Sequence, residues 1–249
     1  MQTNLDDVHN KTVFIGFHKN VDCELPRNSE SIKYVPISSE NLSIGGYDAY
    51  VRETDYENNI APYNPMLNEL THIFCIGKNL ELIEEKIGKI DFIGFEHYRR
   101  HFSKDLISSV RNPNDLLFVD SGQKVKSGVL RQYSEIPRPT QAQEIQALAN
   151  LCDWTISTKM MQHDLVHEFL SSNIFFRCNM FVMHRSVFLD YFSFMEKVIL
   201  HLIDEINAGK FSGLRPREPG FVGERISGLY FYSLMKSGRF NIQTEYLEL

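Results

Sequence analysis

Residues 90–102 read IDFIGFEHYRRHF. The first six form a short run of β-branched and aromatic residues, which predicts a strand. They lead directly into Glu96, His97, Tyr98, Arg99, Arg100 and His101. In open α/β sheets, ligands sit beyond the carboxyl ends of the strands. Two adjacent guanidiniums at such a place suit a diphosphate, which they bind through charge-assisted, often bidentate hydrogen bonds. His97 can donate a further bond or, when neutral, ligate a metal. The same residues also fit a solvated basic turn after a core strand.

Working outward, the apolar run at 12–17 (TVFIGF) predicts a first buried strand, ending in the polar loop His18-Lys19-Asn20. Residues 32–37 predict a second strand, peripheral because Pro36 cannot donate to a ladder. The polar stretch 38–65 is long for a connection in a compact domain, and such connections are usually functional or lids. Apolar residues at 67, 70, 73 and 74 predict a helix over 67–80, weakened slightly by Gly77, with Asn79 as a stop. Residues 80–87 continue as amphipathic helix up to Gly88. Strands follow at 115–119 and 173–183, helices at 140–152 and 221–236, and a closing strand at 240–247. Ser186 is read as the cap of a long helix striped by Val187, Tyr191, Met195, Val198, Leu202 and Ile206. Strands alternating with helices imply α/β architecture: a mainly parallel mixed sheet with both faces covered by helices. With no repeat and no linker, residues 1–249 are expected to form a single domain.

Composition narrows the function. A net charge of −6 lacks the positive field of a nucleic-acid binder, so no nucleic-acid partner is expected. No apolar run approaches the roughly 20 residues that span a bilayer. The polar, acidic N-terminus MQTNLDDVHNK does not read as a signal peptide, which suggests a cytoplasmic protein. Cys23, Cys75, Cys152 and Cys178 have no metal-ligand spacing.

Several further residues could carry chemistry. Asn179 interrupts an apolar strand, and a buried amide must find partners, either backbone groups or a substrate hydroxyl. In 215–225 (RPREPGFVGER), Glu218 and Glu224 lie near a helix start, and Glu224 points away from the stripe Val222, Ile226, Leu229. A carboxylate in a cleft can deprotonate a hydroxyl. Equally, it can stabilise the helix N-terminus or pair with an arginine. His163 and His167 share a helix face without a third ligand and read as a surface pair. Asp120-Ser121-Gly122 follows a strand and is only faintly like an acidic metal-binding turn. GxGxxG, GxxxxGK[ST] and GxSxG are absent, so dehydrogenase, P-loop and hydrolase readings lack their signatures.

Three stretches together are similar to a bacterial glycosyltransferase family of capsular-polysaccharide, exopolysaccharide and O-antigen gene clusters, formerly known only as a domain of unknown function. They are NPMLNELTHIFCIGKN (64–79), DFIGFEHYRRHF (91–102), and RCNMFVMHRSVFLDYFSFM (177–195) followed by GFVGER (220–225). HYRR, and NMF with the downstream GFxxER, are the specific parts. The resemblance covers most of the chain and weakens over 103–170.

The resemblance implies a GT-A-like fold and a nucleotide-sugar donor, UDP-linked, with galactose or galactofuranose as the sugar. The acceptor it implies is a growing glycan on a membrane lipid, met at the inner face of the cytoplasmic membrane. Its matched polar residues are Glu69, His97, Tyr98, Arg99, Arg100, Asn179, Glu224 and Arg225. Glu224 is the first candidate for general base. Glu69, His97, Tyr98, Arg99 and Arg100 are candidates for the donor site, and Asn179 and Arg225 for substrate contacts. The DxD motif usual in GT-A enzymes is absent. Metal use is therefore open: Mn2+ or Mg2+, or none, with Arg99 and Arg100 neutralising the leaving diphosphate. The alternatives are another nucleotide-sugar enzyme, or a non-catalytic glycan- or partner-binding subunit of a polysaccharide assembly complex.

Overall fold

A computed structural model describes residues 10–19, 25–42, 44–120, 129–130 and 139–246. Its sheet has seven strands: β1 (Lys11–Phe17), β2 (Ile32–Ser38), β3 (Val51–Arg52), β4 (Phe92–His97), β5 (Asp115–Asp120), β6 (Phe176–His184) and β7 (Asn241–Tyr246). Their spatial order is β3-β2-β1-β4-β6-β5-β7. β1 pairs parallel with β2 and β4, β2 with β3, and β5 with β7. β6 alone runs against its neighbours, β4 and β5.

The helices are α1 (Asn64–Leu67), α2 (Leu70–Lys78), α3 (Leu80–Ile87), α4 (Lys104–Ser109), α5 (Gln141–Ser157), α6 (His163–Ser171), α7 (Arg185–Asn207) and α8 (Glu218–Lys236). Alternate strand residues feed two cores. Phe14, Ile93, Phe95, Phe118 and Phe181 join the larger one, with side chains of α2, α7 and α8. Val13, Ile15, Phe17, Phe92 and Leu117 join a smaller one with Tyr34, Phe102 and Ile107. Burial on both faces is why the strands read as near-continuous apolar runs. The expected α/β class, mainly parallel with flanking helices, is the one observed. No described helix is long and apolar enough to cross a membrane.

Several element boundaries differ from expectation. The helix expected over 67–80 is broken at Asn68, whose φ of 53° lies in the left-handed region. With ψ of -132° it resembles the first central residue of a type II′ turn, where Gly, Asn and Asp predominate. Strand β4 runs on through His97, because its ladder with β1 continues to the Gly16–His97 pair. Pro36 sits opposite Ile15, and β3 reaches only Ile37 and Ser38, so the proline meets no outer ladder. The long helix α7 is capped by His184 rather than Ser186: Nδ1 of His184 accepts the Ser186 N–H at 3.2 Å. Asp120 closes β5, while Ser121 and Gly122 lie outside the described residues.

Glycines set how closely the helices approach. A Cβ on Gly220 would come within 2.3 Å of Asn68 Nδ2, and one on Gly223 within 2.4 Å of Leu70 Cδ1. The first half of α8 is thereby pressed against the α1–α2 junction. At Gly77 the ring of Phe192 from α7 lies where a Cβ would be, at 2.2 Å. In an open helix Gly→Ala stabilises by about 1 kcal/mol. Gly77→Ala should instead destabilise by ~1–3 kcal/mol through overpacking. Urea denaturation of Gly77→Ala, with and without Phe192→Leu, checks this: the second change should recover part of the loss.

Candidate functional site

Because β1 and β4 are parallel neighbours, the residues that follow and close them meet at one edge of the sheet. His18 comes directly after β1, and His97 ends β4. Glu69 lies at the start of α2, held by the turn at Asn68. Its Oε1 is 3.1 Å from His18 Nε2 and 3.5 Å from His97 Nε2. Burial opposes the Glu69 charge, but the hydrogen bond and charge of His18, its own backbone N–H and His97 hold the carboxyl down at about 2. Burial drives His97 down to about 4 against the pull of Glu69, and His18, Arg100 and Arg99 push the same way. His97 is thus a neutral imidazole at pH 7. Its Nδ1 accepts the Arg99 N–H at 3.3 Å, which directs the Nε2 hydrogen toward Glu69.

A second polar layer lies beneath. His72 of α2 and Glu53 are both fully buried and bonded through His72 Nδ1 and Glu53 Oε1. Thr71 Oγ1 donates to the same oxygen at 2.9 Å, and Asn64 Nδ2 donates to Thr71 Oγ1 at 2.8 Å. The His72 ring stacks on His18 with centroids 5.7 Å apart. It reaches this place because Gly16 is bare: a Cβ there would stand 3.0 Å from His72 Cδ2 and 2.9 Å from Phe95 Cζ. The polar stretch 38–65 therefore supplies part of the site's floor through Glu53.

The opposite wall is the start of β6. Phe118 pairs with Phe181 and Asp120 with Phe176, so β6 carries extra residues in a bulge. Within it, Cys178 and Asn179 both adopt left-handed backbone, with φ of 65° and 51°. Glu224 of α8 secures the bulge, its Oε1 accepting the Cys178 N–H at 2.5 Å. Its Oε2 accepts from Arg225 Nη1 at 3.1 Å. The Arg225 guanidinium lies 4.0 Å over the Phe175 ring. Arg100 Nη1 reaches Cys178 Sγ at 3.6 Å. Burial pushes the Cys178 thiol up to about 12, with Glu224 adding and Arg100 opposing. Asn179 is buried, and its Oδ1 has no hydrogen-bond partner among the described residues. A buried acceptor left unmet is costly and suits a site that a ligand completes.

The sequence-predicted residues divide accordingly. Glu69, His97, Arg100, Asn179, Glu224 and Arg225 converge on this edge. Tyr98 turns into the smaller core, stacked on Phe17 at 5.7 Å. Arg99 is exposed, with its guanidinium 4.9 Å over the Tyr98 ring. Glu96, in the predicted basic turn, is wholly buried and shapes the backbone. It accepts the Phe102 N–H at 2.9 Å and contacts His101 Nδ1 at 2.9 Å, and burial raises its pKa. Burial also lifts Glu218 to about 7, although Arg225 favours its charged form and Arg215 donates to its Oε2 at 2.9 and 2.6 Å. His163 and His167 meet as tilted rings on α6, with centroids 4.4 Å apart, and are not part of this cluster. Sequence reasoning passed over His18, Glu53 and His72. For His18 a signal existed, since it follows a predicted parallel strand at the position where ligands are expected.

Comparison with known proteins adds three findings. The family described as "Domain of unknown function (DUF4422)" matches residues 12–235. Among curated proteins, none matches the chain. The apo structure of the WbbM bifunctional glycosyltransferase is similar in fold, with a TM-score of 0.65 at 20% identity. The match covers 96% of this chain and 46% of that one, so the chain spans under half of that protein's length.

The buried, neutral His97 makes stability depend on pH. Its folded pKa of about 4 lies below the usual 6.5, so its contribution is fully present above pH 6.5 and is lost as pH falls through 4. The loss should reach roughly 3 kcal/mol. Denaturation in chelator-containing buffer between pH 7 and 4 should show this slope, and His97→Gln should flatten it.

Proposed function

Because the chain belongs to the DUF4422 family and shares its fold with a glycosyltransferase structure, we propose that it transfers a sugar from a nucleotide donor to a glycan acceptor. The observation that carries this reading is the convergence of Arg100, His97, Glu69, Asn179 and Glu224 at the carboxyl edge of the parallel strands, where α/β folds bind ligands. The donor we assign is UDP-linked, carrying galactose or galactofuranose. The acceptor is a lipid-linked surface polysaccharide in growth, reached from the cytoplasmic side of the membrane.

In this reading the diphosphate lies against Arg100, beside the exposed Arg99 guanidinium. Charge that builds on the leaving diphosphate is met by guanidiniums whose positions are already fixed: Arg100 by Cys178, Arg99 by the Tyr98 ring. The Nε2–H of His97 supplies a neutral donor. The unmet Oδ1 of Asn179 accepts a sugar hydroxyl, which removes its burial penalty only when substrate is bound. Glu224 is the carboxylate we assign to the acceptor hydroxyl. Its bonds to Cys178 and Arg225 fix its direction and occupy a lone pair on each oxygen, so the acceptor hydroxyl must compete for one.

Product analysis by mass spectrometry, across nucleotide sugars and with lipid-linked acceptors, tests the proposal. Arg100→Ala should lower kcat/KM for the accepted donor by ~30–1,000-fold, the cost of one lost transition-state contact. Absence of turnover, together with no thermal shift from any UDP or GDP compound, would favour a non-catalytic binding subunit instead.

A further inference from the structure

Among the described residues, one group of His, Cys, Asp and Glu side chains has metal-ligand spacing: His18, Glu69 and His97, whose donor atoms all lie within 4.8 Å of one another. The three come from separate elements: the end of β1, the start of α2 and the end of β4. Glu69 Oε1 is 3.1 Å from His18 Nε2 and 3.5 Å from His97 Nε2. Ligand atoms bound at ~2.0–2.2 Å around one cation stand at separations of this order.

We propose that His18, Glu69 and His97 form a binding site for a first-row transition-metal ion. Two imidazole nitrogens and one carboxylate oxygen make a facial set that leaves further coordination positions open. The nitrogen content decides the class of ion. Mg2+ is a hard cation that keeps oxygen and water ligands, whereas Mn2+, Fe2+, Co2+ and Zn2+ accept imidazole. The scaffold is rigid on the ligand side: α2 is pinned beneath by the His72–Glu53 pair, and His72 stacks on the His18 ring. Ligation through His97 Nε2 transfers its ring hydrogen to Nδ1. That breaks the 3.3 Å contact from the Arg99 N–H, so binding should report at the Arg99 amide. Ion binding stands without the glycosyl-transfer reading. Only the ion's use rests on it: with the ion bound, its open positions take over from the His97 Nε2–H in facing the donor phosphate oxygens.

The test uses the chelator-stripped full chain without nucleotide. Co2+, Mn2+, Zn2+ and Mg2+ are titrated separately by calorimetry, and Co2+ also by visible absorption. The expected result is one Co2+ per chain with a d–d spectrum, displaced by Zn2+ and not by Mg2+. The Arg99 amide resonance should shift on binding of diamagnetic Zn2+. His18→Ala and His97→Ala should each weaken binding by at least about tenfold. The double variant His163→Ala/His167→Ala, which removes the surface pair on α6, should bind as the parent does. His18 stands on the rim of the site, so circular dichroism should show His18→Ala folded, and His97→Ala supplies an independent second readout. Binding that survives His18→Ala and His97→Ala, that is lost with the α6 pair, or that Mg2+ matches would overturn the assignment. Since no sugar nucleotide is present, these outcomes are separate from success or failure of the transferase reading.

Discussion

Strand polarity is the constraint on which the rest of this molecule depends. The parallel strands bring their carboxyl ends to one edge, and antiparallel β6 begins at that same edge. Its ladder with β4 pairs Phe95 with Phe181, so the residues before Phe181 stand beside those after Phe95. This register brings Cys178 within reach of Arg100, and α8 then delivers Glu224 to the same bulge. Were β6 parallel, its first residues would lie at the far end of the sheet, and a basic turn after β4 would have no polar wall to face.

The depth of the edge is set by what is missing as much as by what is present. Gly16 lets His72 lie against β1, and Gly220 and Gly223 let α8 press on α1 and α2. Such approach puts polar groups out of water, and each then needs a partner. Glu53, Thr71, Asn64 and His72 bond to one another, but Glu53 Oε2 and His72 Nε2 meet no partner among the described residues. The Asn68 amide reaches Arg217 ahead of α8. The Asn179 Oδ1 is likewise unmet among the described residues. Polar atoms left open on both floor and wall suit a scaffold that places a few groups for a ligand.

Much of the fold was legible because its signals are local. Apolar runs marked β1, β4, β5 and β6, and the stripe from Val187 to Ile206 marked α7. The identity of the carboxyl edge followed from HYRR standing directly after a strand. What escaped the sequence depends on distant partners or on backbone conformation. Glu53 lies in a polar stretch that gives no hint of its bond to His72, nineteen positions on. Asn68 looked like one more residue of a helix, although its left-handed φ breaks that helix in two. Glu96 looked like part of a charged turn, and its burial follows only from the β1 ladder continuing past it. The bare acceptor of Asn179 was foreseeable as a buried amide, but its direction depends on a bulge that no alternation pattern announces.

That bulge has a consequence for how the protein can change. Cys178 and Asn179 occupy backbone conformations in which a side chain costs on the order of 1–3 kcal/mol each, and glycine would remove most of that cost. Glycine at 179 would also delete the unmet acceptor assigned above to a sugar hydroxyl. A laboratory selection for heat resistance alone would therefore favour replacements here that a selection for activity would reject. The two pressures act in opposition on a pair of neighbouring residues, while elsewhere in the sheet they can be satisfied together.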